Sequence, residues 1–250
     1  MTDKILPIIK KIRNNNPVIL NIANSVTQQH VADAINYIGA SPIMFDDPDE
    51  AEDLMQVADG LSINLGTPND HVFKKALLAG KKANQAGKPI LVDPVAVSAS
   101  ATRQKFFTEL SQEIDFSLIR GNAAEIAAIC KQTWKSRGID DNDQNANTAD
   151  KIALAVRAAK TFACAVFISG QKDIISDGRD TFVVSNGNSQ LKTNVGSGDM
   201  LDGILTSALA VENSLVSAAS ASAILSISAE IAADKYPDKP MSFWSSYSIN

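Results

Sequence analysis

The residues best suited to chemistry in this 250-residue chain stand near its C-terminal end, in the run Asn194-Val195-Gly196-Ser197-Gly198-Asp199. Two glycines separated by one small residue let backbone N–H groups converge, and the run directly precedes a helical segment whose N-terminus carries partial positive charge. Such a loop suits a phosphate in transfer. Asp199, in the first turn of that helix, could take the proton of a hydroxyl attacking the phosphate. The same residues also read as a plain turn with Asp199 capping the helix, and the motif alone leaves both readings open.

Two further groups lie where strands should end. Asp93 closes the apolar run Pro89-Ile90-Leu91-Val92-Asp93, and in open α/β sheets ligands collect at the carboxyl ends of strands, so it is a candidate metal or phosphate-site residue. The next run ends in Ile119-Arg120-Gly121-Asn122-Ala123-Ala124-Glu125. Arg120 offers forked donors for phosphate oxygens, and Glu125 offers an oxygen for Mg²⁺, directly or through water. Asn122 and Glu125 also have the spacing of a capping box, which is compatible with that role. With only His30 and His71, both read as mid-helix, a Ser-His-Asp triad or His-ligated zinc has little support. Neither a G-x-x-x-x-G-K-[ST] loop nor a dinucleotide fingerprint after the first strand occurs.

The elements that would position these groups follow from the pattern of apolar runs. Short β-branched runs start at Val18, Pro42, Gly60, Pro89, Phe116 and Ala165, with longer segments of helical period between them. That alternation predicts a mostly parallel sheet with helices on its faces. Ser25 is placed to cap a helix running to Ile38 with Gly39 as terminator, and Pro68 to open one that stops before Gly87. Beyond Gly170, Ile174-Ile175-Ser176, Thr181 to Val184 and Ser189 to Thr193 read as short antiparallel strands at one edge of the sheet. Two small-residue helices, from about Gly198 and over Ser214 to Lys235, close the chain, and Gln132 to Asp150 reads as a surface loop. One domain over residues 1–250 is expected.

Composition narrows the partners. A net charge of −5 without a basic cluster argues against nucleic acid. The first sixteen residues break their apolar positions with four Lys or Arg, unlike a signal peptide, and no uninterrupted apolar run of about 18 residues predicts a membrane span. Cys130 and Cys164 are far apart and outside any C-x-x-C pattern, which fits reduced thiols in a cytoplasmic protein.

In this order and spacing the chain resembles the hydroxyethylthiazole kinase family of the ribokinase-like superfamily over nearly its whole length. The resemblance is carried by Asn21 to Val26, Gly39-Ala40-Ser41-Pro42-Ile43-Met44, Leu65-Gly66-Thr67, Asp93-Pro94-Val95, Arg120 to Glu125, Ser169-Gly170 and Gly196-Ser197-Gly198. It implies a ribokinase-like three-layer α/β/α sandwich with a mostly parallel central sheet and short antiparallel edge strands. It also implies phosphorylation of the hydroxyl of 4-methyl-5-(2-hydroxyethyl)thiazole by ATP with Mg²⁺, in thiamine biosynthesis or salvage. Arg120 and Ser169 would contact ATP, Asp93 and Glu125 would help place Mg²⁺, and Met44 and Gly196 would touch the alcohol with Asn24 close by. Gly198 would share in the anion hole. A homotrimer with active sites at subunit interfaces is implied as well.

Some positions depart from the family pattern. Asp199 stands where many members carry Cys, which strengthens its assignment as the base, and Val95-Ala96-Val97-Ser98 replaces the usual Val-Gly-x-Gly. Asn21, Ala23 and Asp33 replace the frequent His, Thr and Asn. These changes bear on the identity of the alcohol. The alternatives are another superfamily activity, such as a kinase for a related heterocyclic alcohol or a nucleotide-dependent hydrate dehydratase, and a binding paralogue without turnover.

Overall fold

The computed structural model describes residues 2–132 and 147–246. Its frame is an eight-stranded sheet of β1 (Val18–Ile22), β2 (Ser41–Met44), β3 (Gly60–Asn64), β4 (Ile90–Asp93), β5 (Leu118–Asn122), β6 (Ala165–Ser169), β7 (Asp173–Ser176) and β8 (Thr181–Val184), in the order β2-β1-β3-β4-β5-β6-β7-β8. The pairings from β2 through β6 are parallel, and β7 and β8 add antiparallel at one edge.

Both faces of the sheet are buried, so strand residues of either parity are apolar. Ile19, Leu91, Leu118 and Phe167 face a layer formed by α1 (Thr2–Asn15), α2 (Gln28–Tyr37), α8 (Ser197–Val211) and α9 (Leu215–Lys235), with α10 (Pro240–Ser246) packed on α9. Their neighbours Leu20, Ile90, Val92, Ile119, Val166 and Ile168 face the other layer. That layer holds α3 (Ala51–Val57), α4 (Asp70–Gln85), α5 (Ala101–Glu113), α6 (Ala123–Ile129) and α7 (Thr148–Phe162). The result is the three-layer α/β/α sandwich expected from the alternating runs.

Several boundaries differ from the sequence reading. The N-terminal segment is a helix, α1, because Ile8 and Ile12 fall one turn apart on a face that buries both. Helix α2 starts at Gln28 rather than after Ser25. Its N-cap residue is Thr27, whose side chain makes no cap bond to its own helix. The terminator is as expected, with Gly39 at φ +94 and its N–H donating to Asn36 O at 3.0 Å. Helix α4 opens at Asn69, whose side chain accepts from Val72 N at 2.9 Å, so Pro68 lies outside it. His30 and His71 both fall in the first turns of α2 and α4 instead of mid-helix.

Ser189 to Thr193 is a 3₁₀ turn, not a strand. Asn188 caps it, and Gln190 is buried with its amide on Tyr236 O at 3.1 Å. Of the expected loop Gln132 to Asp150, residues 133–146 lie outside the described residues, and Thr148 onward is already α7. Helix α9 is long and apolar enough to span a bilayer by length and mean hydropathy, although serines break it into short apolar runs. Two thirds of its most apolar window is buried within the protein, against α1, α8 and the β7–β8 edge, as in a core helix.

Candidate active site

Parallel strands bring their carboxyl ends to one edge, and register decides which end residues meet. Asn64 of β3 is opposite Asp93 of β4, Asn122 of β5 is opposite Ser169 of β6, and Asn21 of β1 is opposite Met44 of β2. Helix α8 packs over β1, β3 and β4. Its first turn therefore carries Asp199 and, one turn on, Asp202 to this same edge.

Asn64 is the hub. Its Oδ1 accepts from Gly66 N at 2.9 Å and from Asn24 Nδ2 at 3.2 Å, which fixes the amide orientation and turns Nδ2 toward three carboxylates. From there Nδ2 reaches Asp199 Oδ1 at 3.0 Å, Asp93 Oδ2 at 3.2 Å and Asp202 Oδ2 at 3.2 Å. The other oxygen of Asp199 accepts from Asn24 Nδ2 at 2.9 Å and from Thr27 Oγ1 at 2.5 Å. Asp199 thus does not cap α8: the N-cap is Gly196, at φ +100, and no side chain caps it.

Arg120 sits between the acids and the glycine loop. Its Nη1 donates to Asp93 Oδ2 at 2.7 Å, its Nε lies 3.8 Å from Asp202 Oδ1, and its Nη2 stands 3.5 Å from Ser169 Oγ. Gly198 permits this, because a methyl group there would stand 2.5 Å from Nη2. Burial works against the charge of Arg120, but Asp93, Asp202, Glu125 and Asp199 together hold its pKa above the ordinary value. Burial also pushes the Asp93 carboxyl up against the pull of Arg120, and burial with the charge of Asp93 pushes Asp202 well above the usual carboxylate range.

Glu125 closes a capping box on α6: Asn122 Oδ1 accepts from Glu125 N at 2.9 Å, and Glu125 Oε2 accepts from Asn122 N at 2.8 Å. Its Oε1 accepts from Ala96 N at 2.7 Å. Burial and then Asp93 lift its pKa to about 7. Ala96 stands at φ +56, a left-handed conformation that favours glycine, at a position where the family pattern has one. Met44 is half-buried against the apolar layer and outside the hydrogen-bonded cluster.

The donor set suits a hard divalent cation. One oxygen from each of Asp93, Asp199 and Asp202 lies within 4.8 Å of the others, and the buried Asp93 Oδ1 and Asp202 Oδ1 have no hydrogen-bond partner. Burial and mutual repulsion disfavour charge on Asp93 and Asp202, and a bound cation would favour their ionised forms. A cavity of about 400 Å³ lined in part by Ser117, Lys160, Cys164 and Leu215 lies at the opposite, amino ends of β5 and β6, away from this chemistry.

Sequence reasoning thus found Asp93, Arg120, Asp199, Ser169, Gly198 and Asn24, which the fold brings together, and it missed Asn64, Asp202 and Thr27. Asn64 had a signal, as a polar residue ending an otherwise apolar strand, and so did Asp202, an acid one turn beyond Asp199 in an apolar helix. Thr27 had none.

Comparison with known proteins points the same way. Residues 9–248 match the Hydroxyethylthiazole kinase family. The chain is 38% identical over 241 residues to a hydroxyethylthiazole kinase of Lactiplantibacillus plantarum, covering 95% of this chain and 90% of the relative. A solved hydroxyethylthiazole kinase protein from Pyrococcus horikoshii OT3 superposes with a TM-score of 0.89 at 30% identity, covering 99% of this chain and 91% of that one. An ADP/ATP-dependent NAD(P)H-hydrate dehydratase from Bacillus subtilis shares the fold at a TM-score of 0.63 and 14% identity, over 94% of this chain and 91% of that one.

Proposed function

Because the chain belongs to the hydroxyethylthiazole kinase family, we propose that it transfers the terminal phosphate of ATP to the hydroxyl of 4-methyl-5-(2-hydroxyethyl)thiazole, a step of thiamine biosynthesis or salvage. The observation that carries this reading is the open N-terminus of α8, flanked by Arg120 on one side and the Asp199 carboxylate on the other.

Phosphoryl transfer through a loose transition state depends mostly on positioning and on stabilising charge. Arg120 and the amides of Gly196 to Gly198 hold the phosphate oxygens, with Ser169 beside them on ATP. Asp199 takes the proton of the alcohol as its oxygen attacks. Met44 and Gly196 line the alcohol, with Asn24 close by. Asp93 is the residue best suited to hold Mg²⁺, since its Oδ1 is buried and unpartnered. Glu125, whose oxygens each already accept a backbone N–H, adds charge beside it. When bound, the ion neutralises charge on the nucleotide phosphates.

A homotrimer with sites shared between subunits is part of this reading. It is supported by two large apolar side chains beside the site, Val26 and Val195, which are 70% and 73% exposed. A cytoplasmic location is supported by the two free cysteines. The test is ADP release from Mg-ATP with the thiazole alcohol, set against the analogue bearing hydrogen in place of the hydroxyl. Turnover of the alcohol alone is expected; an inert thiazole beside another alcohol that turns over would remove the named substrate.

A further inference from the structure

The carboxylate of Asp199 has about four acceptor positions, two on each oxygen. Three are filled by side chains of this chain. Among the described residues, Oδ2 receives both Asn24 Nδ2, at 2.9 Å, and Thr27 Oγ1, at 2.5 Å, while Oδ1 receives only Asn64 Nδ2, at 3.0 Å. The donors are themselves fixed. Asn24 Oδ1 accepts from Val26 N at 3.0 Å, which turns its Nδ2 toward Asp199 and Asn64, and Asn64 is oriented by Gly66 N.

Thr27 is the unusual member. It is the N-cap residue of α2 and is buried, yet its hydroxyl makes no cap bond. Its single proton has two acceptors in reach, Asp199 Oδ2 at 2.5 Å and Asn24 Oδ1 at 3.2 Å, and the shorter contact lies in the range of O–H···O⁻ bonds. A helix-capping group has been turned over to a carboxylate 172 positions away in the chain.

We propose that Thr27 is a positioning residue that locks the Asp199 carboxylate through its hydroxyl, leaving Oδ1 as the oxygen that takes the proton of the attacking alcohol. The inference rests on the phosphotransfer reading. As the O–H bond of the alcohol breaks, its proton passes to Oδ1, and the freed electron pair forms the new O–P bond while ADP leaves with the electrons of the old one. Without the Thr27 bond the carboxylate is held by the Asn24 and Asn64 amides alone, and its alignment with attack loosens.

The test compares Thr27→Val, which keeps the shape and removes the hydroxyl, with Thr27→Ser, which keeps the hydroxyl, each alone and in an Asp199→Asn background. Thr27→Val is expected to lower kcat by roughly tenfold, the loss typical of a charge-assisted hydrogen bond, with the KM for ATP unchanged and Thr27→Ser close to the parent. In the Asp199→Asn background the same change should cost nothing further, since the group it positions is already disabled. Because no cap bond is lost, the melting temperature of Thr27→Val should stay within a few degrees of the parent. Unchanged kcat in Thr27→Val, an equal loss in Thr27→Ser, or the same fold loss on top of Asp199→Asn would each overturn the assignment. Failure of the parent to release ADP with any alcohol would instead overturn the phosphotransfer reading, and this inference with it.

Discussion

Helices α6 and α8 both begin at the carboxyl edge of the sheet, and both carry an acidic residue at the third helical position, Glu125 and Asp199. They use it in opposite ways. At α6 the acid folds back: Glu125 takes the N–H of its own N-cap Asn122 and of Ala96, while Asn122 takes the N–H of Glu125, so the helix start is closed by its own side chains. At α8 the N-cap is a glycine without a side chain to give, and Asp199 turns away to Asn24, Thr27 and Asn64. No side chain among the described residues caps the leading amides of α8. The contrast shows that an acid in the first turn does not by itself mark a site; what separates the two is whether the chain satisfies its own helix end.

The strongest way to break this comparison is Asp199→Asn. Removing the base should lower kcat by about 10²–10⁴ in the ADP-release assay, and the melting temperature should fall by a few degrees at most, because the new amide sets a donor against the Asn64 or Asn24 amide while no cap of α8 is lost. A large drop in melting temperature would mean that α8 depends on Asp199 as α6 depends on Glu125. The converse substitution, Glu125→Gln, turns one oxygen into a donor facing a backbone N–H. A buried N–H without a partner costs about 1–3 kcal/mol, so thermal denaturation should show a loss of roughly 2–4 °C for each kcal/mol in a chain of this size. The smallest effect is expected for Ala96→Gly. Relief of the left-handed conformation, worth about 1–2 kcal/mol, is partly cancelled by greater freedom of glycine in the unfolded chain, leaving a gain below about 1 kcal/mol. A loss there would mean that the Ala96 methyl contributes packing that outweighs its backbone strain.

Much of the sheet was legible because β3, β4 and β6 are largely buried and mostly apolar, with polar last residues, Asn64, Asp93 and Ser169, that mark the edge, and because Arg120 breaks the apolar start of β5. Asp93, Arg120 and Ser169 could be found for that reason. Local patterns were weaker where a distant partner decides the outcome. Ser189 to Thr193 reads as a strand from its place among Gly and Asn turns, but Gln190 is buried on Tyr236 O and the segment is a 3₁₀ turn. Ser25 looks like a cap, but the loop runs two residues further so that Thr27 can meet Asp199. Asn64 and Asp202 each stand out as a polar residue in an apolar element, but their joint role shows only when strand register and the approach of α8 set one amide among three acids.

The contact of α1 with α8 and α9 has a consequence for synthesis of the chain. Ile8 and Ile12 are buried against residues that lie about two hundred positions later, and Lys11 pairs with Glu212 across the same junction. At about 5–20 residues per second, roughly ten to forty seconds separate the emergence of α1 from that of its packing partners. During that interval α1 lacks the α8 and α9 side chains it packs on, and its face of the nascent sheet has only α1 and α2 to cover it. A message cut short before α9 would therefore leave this face without its cover over β7 and β8, a substrate for chaperones and proteases rather than a smaller working enzyme.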